Sequence, residues 1–142
     1  MTPVMTAQQL NDFLGQIFEQ VADDFHVDDV SDGHVTMRLL TSEKHLRPGG
    51  TISGPSMFGL ADVAAYVVTL AHIGPQALAV TTNCSIDFMR KPEAGLPLIA
   101  KATLLKLGRQ LTVTDVLLFS EGKDAPVARA SLTYAIPPKS MG

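Results

Sequence analysis

The chain has 142 residues, enough for one domain that buries its own core, and a formal net charge of −3. So small a charge excludes the basic footprint of a nucleic-acid-binding protein. A single cysteine, Cys84, excludes an internal disulfide and fits a reducing compartment. No basic-then-apolar leader opens the sequence, so the expected location is cytoplasmic. Hydrophobic residues make up 46% of the chain, which is generous for a small monomer and predicts apolar surface shared between subunits.

Thr6-Ala7-Gln8-Gln9 has the form of a capping box. Leu10, Phe13, Leu14, Ile17, Phe18 and Val21 follow at helical spacing, predicting an amphipathic helix over about 6–21. Strands are expected at Phe25–Val30 and His34–Leu40, joined by the turn Ser31-Asp32-Gly33, and Thr41–Pro48 reads as a polar loop.

The centre of the chain is Gly49–His72, a Gly/Pro-rich turn running into a helix over about 55–72. From Ser56 on, almost every residue is small or apolar, and a helix that is apolar all round is a buried one. Its apolar part is slightly short for a membrane span, and strand patterns surround it, so no membrane is expected. Asp62 sits in its middle. An aspartate is almost never fully buried unless it is paired or has chemistry to do.

Gly74 is placed to cap this helix and Pro75 to break it. Four more strands, Leu78–Arg90, Leu96–Leu107, Gln110–Ser120 and Val127–Ile136, are joined by short turns, which reads as an antiparallel four-stranded meander. The sum is one α+β domain spanning 1–142, an antiparallel sheet wrapped round one long central helix.

Several residues invite a chemical reading. Tyr66 and Thr69 stand at i+4 and i+7 from Asp62 and read as packing with satisfied hydroxyls. Cys84 alternates with apolar residues and reads as a buried small hydrophobe rather than a nucleophile. His72 ends the helix as an ordinary polar cap. His26, His34 and His45 are scattered without metal-ligand spacing, so no metal is expected, and no phosphate-binding glycine loop is present. The first amides of the central helix are natural oxyanion donors. Pro55 lacks an N–H, which leaves Gly54 and Ser56 as candidates. Strand alternation places Thr82, not Thr81, on the face of Ile86 and Phe88 unless a bulge intervenes.

The run R-P-G-G-T-I-S-G-P-S-M-F-G-L-A-D (Arg47 to Asp62), set among these elements, resembles the hotdog-fold acyl-CoA thioesterases, in particular their PaaI-like branch. That branch carries an Asn, a Gly three residues on, a His-Gly-Gly, and a helix with Leu-Ala-Asp. The segment L-K-L-G-R-Q-L-T-V-T-D-V (Leu105 to Val116) is similar to the family's penultimate hairpin. The resemblance implies a hotdog fold and thioester hydrolysis with no cofactor, in a homodimer or homotetramer with sites at the subunit interface. Gly50 falls on the Gly after the Asn. Gly54 falls on the glycine whose amide meets the thioester carbonyl, and Asp62 on the acid, brought by a second subunit, that aligns or deprotonates the attacking water or itself attacks. Thr81 falls near a water-binding Ser, and Arg109 where a basic residue meets the coenzyme A phosphates. Arg47, Ser53, Arg90 and Lys91 are further substrate-binding candidates. The chain departs from the family at Arg47 (for Asn), Ser53 (for His) and Pro55 (for the second Gly). Those departures keep one alternative open, a hotdog protein that binds acyl-CoA without turning it over. A hydratase of the same fold would carry its acid nearer Gly59, where this chain has none.

Overall fold

The capping box forms as its spacing predicts. The Gln9 amide donates to Thr6 Oγ1 at 3.1 Å, the Thr6 amide donates to Gln9 Oε1 at 2.9 Å, and helix α1 runs Ala7–Ile17. The computed structural model describes residues 1–19 and 22–138. Helix α1 ends short of the expected 21 because Phe18 leaves helical geometry, and Val21 lies outside the described residues. Leu10 and Leu14 are its buried stripe. Asn11 fastens it to the sheet by bonding both the amide and the carbonyl of Val27.

Strands β1 (Phe25–Ser31) and β2 (His34–Leu39) form a hairpin whose turn needs the positive φ of Gly33. Helix α2 (Gly54–Ile73) follows, then β3 (Val80–Phe88), β4 (Leu98–Leu107), β5 (Leu111–Ser120) and β6 (Ala128–Ala135). The six strands make one antiparallel sheet in the order β1-β2-β4-β5-β6-β3.

That order corrects the four-stranded meander. Of those four strands only β4-β5-β6 run as successive neighbours, while β3 pairs with β6 at the far edge. Both sides of β4 are taken by β2 and β5, so β3 has no place beside it. The nine residues from Met89 to Pro97 are a crossover rather than a hairpin turn. At about 3.3 Å per residue they reach easily past two strands spaced about 4.8 Å apart.

Helix α2 lies in the hollow of the sheet. Leu60, Ala61, Ala64, Ala65, Val67, Val68, Leu70 and Ala71 are wholly buried, packed with Met37, Leu39, Leu98, Ala100, Val116, Leu118 and Leu132. The alanines let the strands approach closely enough for the sheet to wrap round it. By length and composition the helix could cross a membrane, yet most of it is buried inside the protein.

Tyr66 and Thr69 pack as expected, the Tyr66 hydroxyl donating to Ala77 O at 3.0 Å and Thr69 meeting the Thr112 hydroxyl at 3.0 Å. His72 does more than cap. It is buried, and its Nε2 accepts from the Gly33 amide at 2.9 Å. A backbone N–H can only donate, so the proton sits on Nδ1 and goes to Val68 O at 2.8 Å. This neutral ring ties the end of α2 to the β1–β2 turn. Replacing it by Ala strands the Gly33 amide, and His72→Ala is expected to cost about 1–3 kcal/mol, read as a lower urea midpoint.

Candidate active site

The mouth of α2 is built by the loop before it. A bridge between Leu46 and Ile52 closes the turn of Arg47 to Thr51, in which Gly50 N–H donates to Arg47 O at 3.0 Å. Pro48 followed by Gly49 at φ 98° is the residue pattern of a type II turn, and Gly50 also has positive φ. Ser53 is then the N-cap. Its Oγ accepts from the Ser56 amide at 3.2 Å and donates to Ser56 Oγ at 2.9 Å. The Met57 amide bonds Ser53 O, and Pro55 has no N–H to offer. Among the described residues, Gly54 therefore carries the one unpartnered amide of the first turn, at the positive end of the helix dipole.

Gly54 lines a cavity of about 350 Å³. Three of the expected substrate-binding residues, Arg47, Arg90 and Lys91, line it together with Gly54 and the apolar Ile52, Met57, Phe88 and Met89. The Phe88 ring lies against Gly54 so closely that an added Cβ would stand 3.4 Å from it. Ser53 is absent from the lining because its hydroxyl is committed to the cap. Arg109 is not there either. It follows β4 at the Thr81 end of the sheet, since Leu107 pairs with Thr112, Thr112 with Tyr134 and Tyr134 with Thr81. Arg90 and Lys91 follow Phe88 at the other end, about 23 Å away by strand rise, so one chain does not bring these turns together.

Asp62 lies two turns further along α2 and is half-buried. Its Oδ1 accepts from Thr81 Oγ1 at 2.6 Å and from the Tyr134 hydroxyl at 2.8 Å, and the same hydroxyl reaches Asp62 O at 3.0 Å. Thr81 faces Asp62 because a β-bulge interrupts the β3–β6 ladder: Thr81 pairs with Tyr134 and Asn83 with Thr133, leaving Thr82 as the extra residue. The alternation that favoured Thr82 is thereby reversed, and the Thr82 hydroxyl is spent on Thr133 O. Asp62 Oδ2 accepts no hydrogen bond among the described residues. No buried side-chain oxygen there is left unsatisfied, so Oδ2 is open to solvent.

Tyr134 escaped the sequence reading. The available signal was a tyrosine at an inward strand position, which needs a partner for its hydroxyl. Cys84, expected to be buried, is half-buried. Burial pushes its thiol above the ordinary range and the charge of Asp62 adds to that, the reverse of what a nucleophile requires. Among the described residues, no three His, Cys, Asp or Glu side chains gather as a metal ion would need.

The profile of the Thioesterase superfamily matches residues 49–127. In structure the chain is similar to a protein from Silicibacter sp. TM1040, described provisionally as a thioesterase, with 57% identity and a TM-score of 0.91 over 97% of this chain and 96% of that one. A Streptococcus mutans protein determined with acetyl-CoA bound is similar at 27% identity and a TM-score of 0.70, over 81% of this chain and 90% of that one. A mutant of the phenylacetic acid degradation protein PaaI from Thermus thermophilus is similar at 26% identity and a TM-score of 0.70, over 89% and 99%. A curated relative from Thermoplasma acidophilum, provisionally named an esterase, is 22% identical over 80% of this chain and 83% of its own.

The Cys84 environment makes a pH-dependent prediction. Because burial and the Asp62 charge both disfavour the thiolate, alkylation by iodoacetamide should have a midpoint above that of a free cysteine. In Asp62→Asn the charge is gone, so the midpoint should move down; an unmoved midpoint would mean that Asp62 does not act on this thiol.

Proposed function

Given that the chain belongs to the Thioesterase superfamily and is a thioester hydrolase, we propose that it cleaves an acyl-CoA to the free acid and CoA. The observation that carries this reading is the unpartnered amide of Gly54, a residue that lines a cavity rimmed by Arg47, Arg90 and Lys91. A thioester carbonyl needs a donor where negative charge develops, and a helix N-terminal amide supplies it without reorganisation. Three cations beside an apolar lining suit an acyl group joined to the anionic phosphates of coenzyme A. The acetyl-CoA found on the Streptococcus mutans relative supports the same ligand class.

In this reaction the carbonyl oxygen accepts from Gly54 N–H. Asp62 Oδ2 takes a proton from water as that water attacks the carbonyl carbon. The oxyanion formed is held at Gly54, and its collapse expels the CoA sulfur, which recovers the proton from Asp62. Eight residues separate Gly54 from Asp62 on α2, about 12 Å along the axis at helical rise. An oxyanion donor must stand about 3 Å from its oxygen. The separation favours an Asp62 contributed by a second copy. Strand β3 supports that arrangement, because it is an edge strand with Val80 and Phe88 more than half exposed. We place the site between two subunits of a homodimer, or of a tetramer built from such dimers, and Arg109 would reach the ligand from the other copy.

One observation favours a second reading, binding without turnover. Ser56 has spent its amide on Ser53 and Pro55 has none, so a single oxyanion donor remains. Losing one such donor typically costs about 10²–10³ in rate. Release of free CoA from short, medium and aryl acyl-CoAs separates the two. Hydrolysis by the wild type and a kcat lower by about 10²–10⁴ in Asp62→Asn are expected, as for loss of a general base. Tight acyl-CoA binding with no release across the panel would establish the second reading, and equal rates for the two proteins would remove Asp62 from the reaction.

A further inference from the structure

We infer that Tyr134 is a positioning residue which, with Thr81, fixes which oxygen of Asp62 acts on water; this rests on the reading of Asp62 as the group that drives hydrolysis. The two oxygens of a carboxylate are chemically equivalent, and the torsion that exchanges them is broad and two-fold. Nothing in an aspartate alone keeps one oxygen aimed at a substrate. Here the oxygens are made different. Oδ1 accepts from Thr81 at 2.6 Å and from Tyr134 at 2.8 Å, which uses both of its lone pairs. Oδ2 keeps both of its own and is open to whatever covers that face.

Tyr134 adds a second constraint. Its hydroxyl lies within reach of Asp62 O as well as Oδ1, at 3.0 and 2.8 Å, so one hydrogen holds the side chain to its own backbone. A hydroxyl that only needed satisfying could have taken the main-chain oxygen alone. The two donors also come from a single rung of the sheet, because Thr81 and Tyr134 are direct partners across β3 and β6. The bulge at Thr82 sets that rung, so backbone irregularity and carboxylate orientation are one device.

The mount is stiff. Tyr134 is 4% exposed, and its ring packs 5.9 Å from that of Tyr66, which is itself held by Ala77 O and edge-on to Phe18. Burial raises the Tyr134 phenol far above its ordinary range, so it remains a protonated donor wherever the enzyme works.

Tyr134→Phe keeps the ring and removes the hydroxyl. Expected is a fall of about 10- to 100-fold in kcat, the scale on which small misplacements of reacting groups act, with KM and the melting midpoint near wild type. Thr81→Val should also lower kcat, and Thr81→Ser should restore it. The double variant Thr81→Val/Tyr134→Phe should lose more than the product of the single losses, because only then does the carboxylate turn freely. Wild-type kcat in Tyr134→Phe, or a loss confined to KM or to melting, overturns the inference and leaves Tyr134 a packing residue. Should Tyr134→Phe not fold, wild-type kcat in Thr81→Val overturns it equally. Asp62→Asn, run alongside, separates the two levels: if it stays fully active, or if the wild type releases no CoA, the reading of Asp62 itself has failed. An inactive Asp62→Asn beside a fully active Tyr134→Phe removes only the role of Tyr134.

Discussion

Everything in this protein follows from burying a twenty-residue apolar helix inside a sheet. Among the described residues such a helix supplies about a third of the buried hydrophobic side chains and satisfies its own backbone, so its remaining polar groups must find partners or water at a few particular places. Besides the paired hydroxyls of Tyr66 and Thr69, three matter on α2. The C-terminal end is sealed by the neutral His72 ring against the β1–β2 turn. Among the described residues, the N-terminal end leaves Gly54 N–H without a partner. Midway, Asp62 is half-buried, with Oδ2 open to solvent. The first is closed by structure and the other two are the candidate site.

The sheet contributes by how it ends. Because β3 is placed at the edge beyond β6, its apolar residues Val80 and Phe88 stay exposed. The same crossover carries Arg90 and Lys91 from the end of β3 to the mouth of α2, where Arg47 already stands. Fold topology thus assembles a cationic rim by bringing Arg90 and Lys91 to Arg47, 43 positions or more before them in sequence. It separates Arg109 from that rim for the same reason, since the β4–β5 turn belongs to the opposite end of the strands.

Much of this was legible in the amino-acid order because it rests on local rules. The capping box at Thr6, the apolar run from Ser56, the hairpin glycine at Gly33 and the cap at Gly74 each form where their residue types require. What the sequence did not carry was pairing at a distance. Strand order depends on which edges are free, and nothing in β3 marks β6 rather than β4 as its partner. Thr81 was ambiguous for a related reason, because a one-residue bulge inverts every later face and leaves no compositional trace. Ser53 looked like a ligand contact and is a helix cap, a role that serine at that position fills by default. Tyr134 lies 72 residues from the carboxylate that it holds, and only folding brings the two together.

On the proposed mechanism, a thioester held at one chain's helix mouth is hydrolysed by Asp62 of another chain. Complementation tests it directly: Gly54→Val, which forces a branched side chain onto the Phe88 ring, and Asp62→Asn are purified separately, unfolded and refolded as a mixture. Random pairing makes half of the dimers hybrids with one of two sites intact, so the mixture of two inactive parents should recover about a quarter of the wild-type rate. A mixture as inactive as its parents would contradict a site shared between chains.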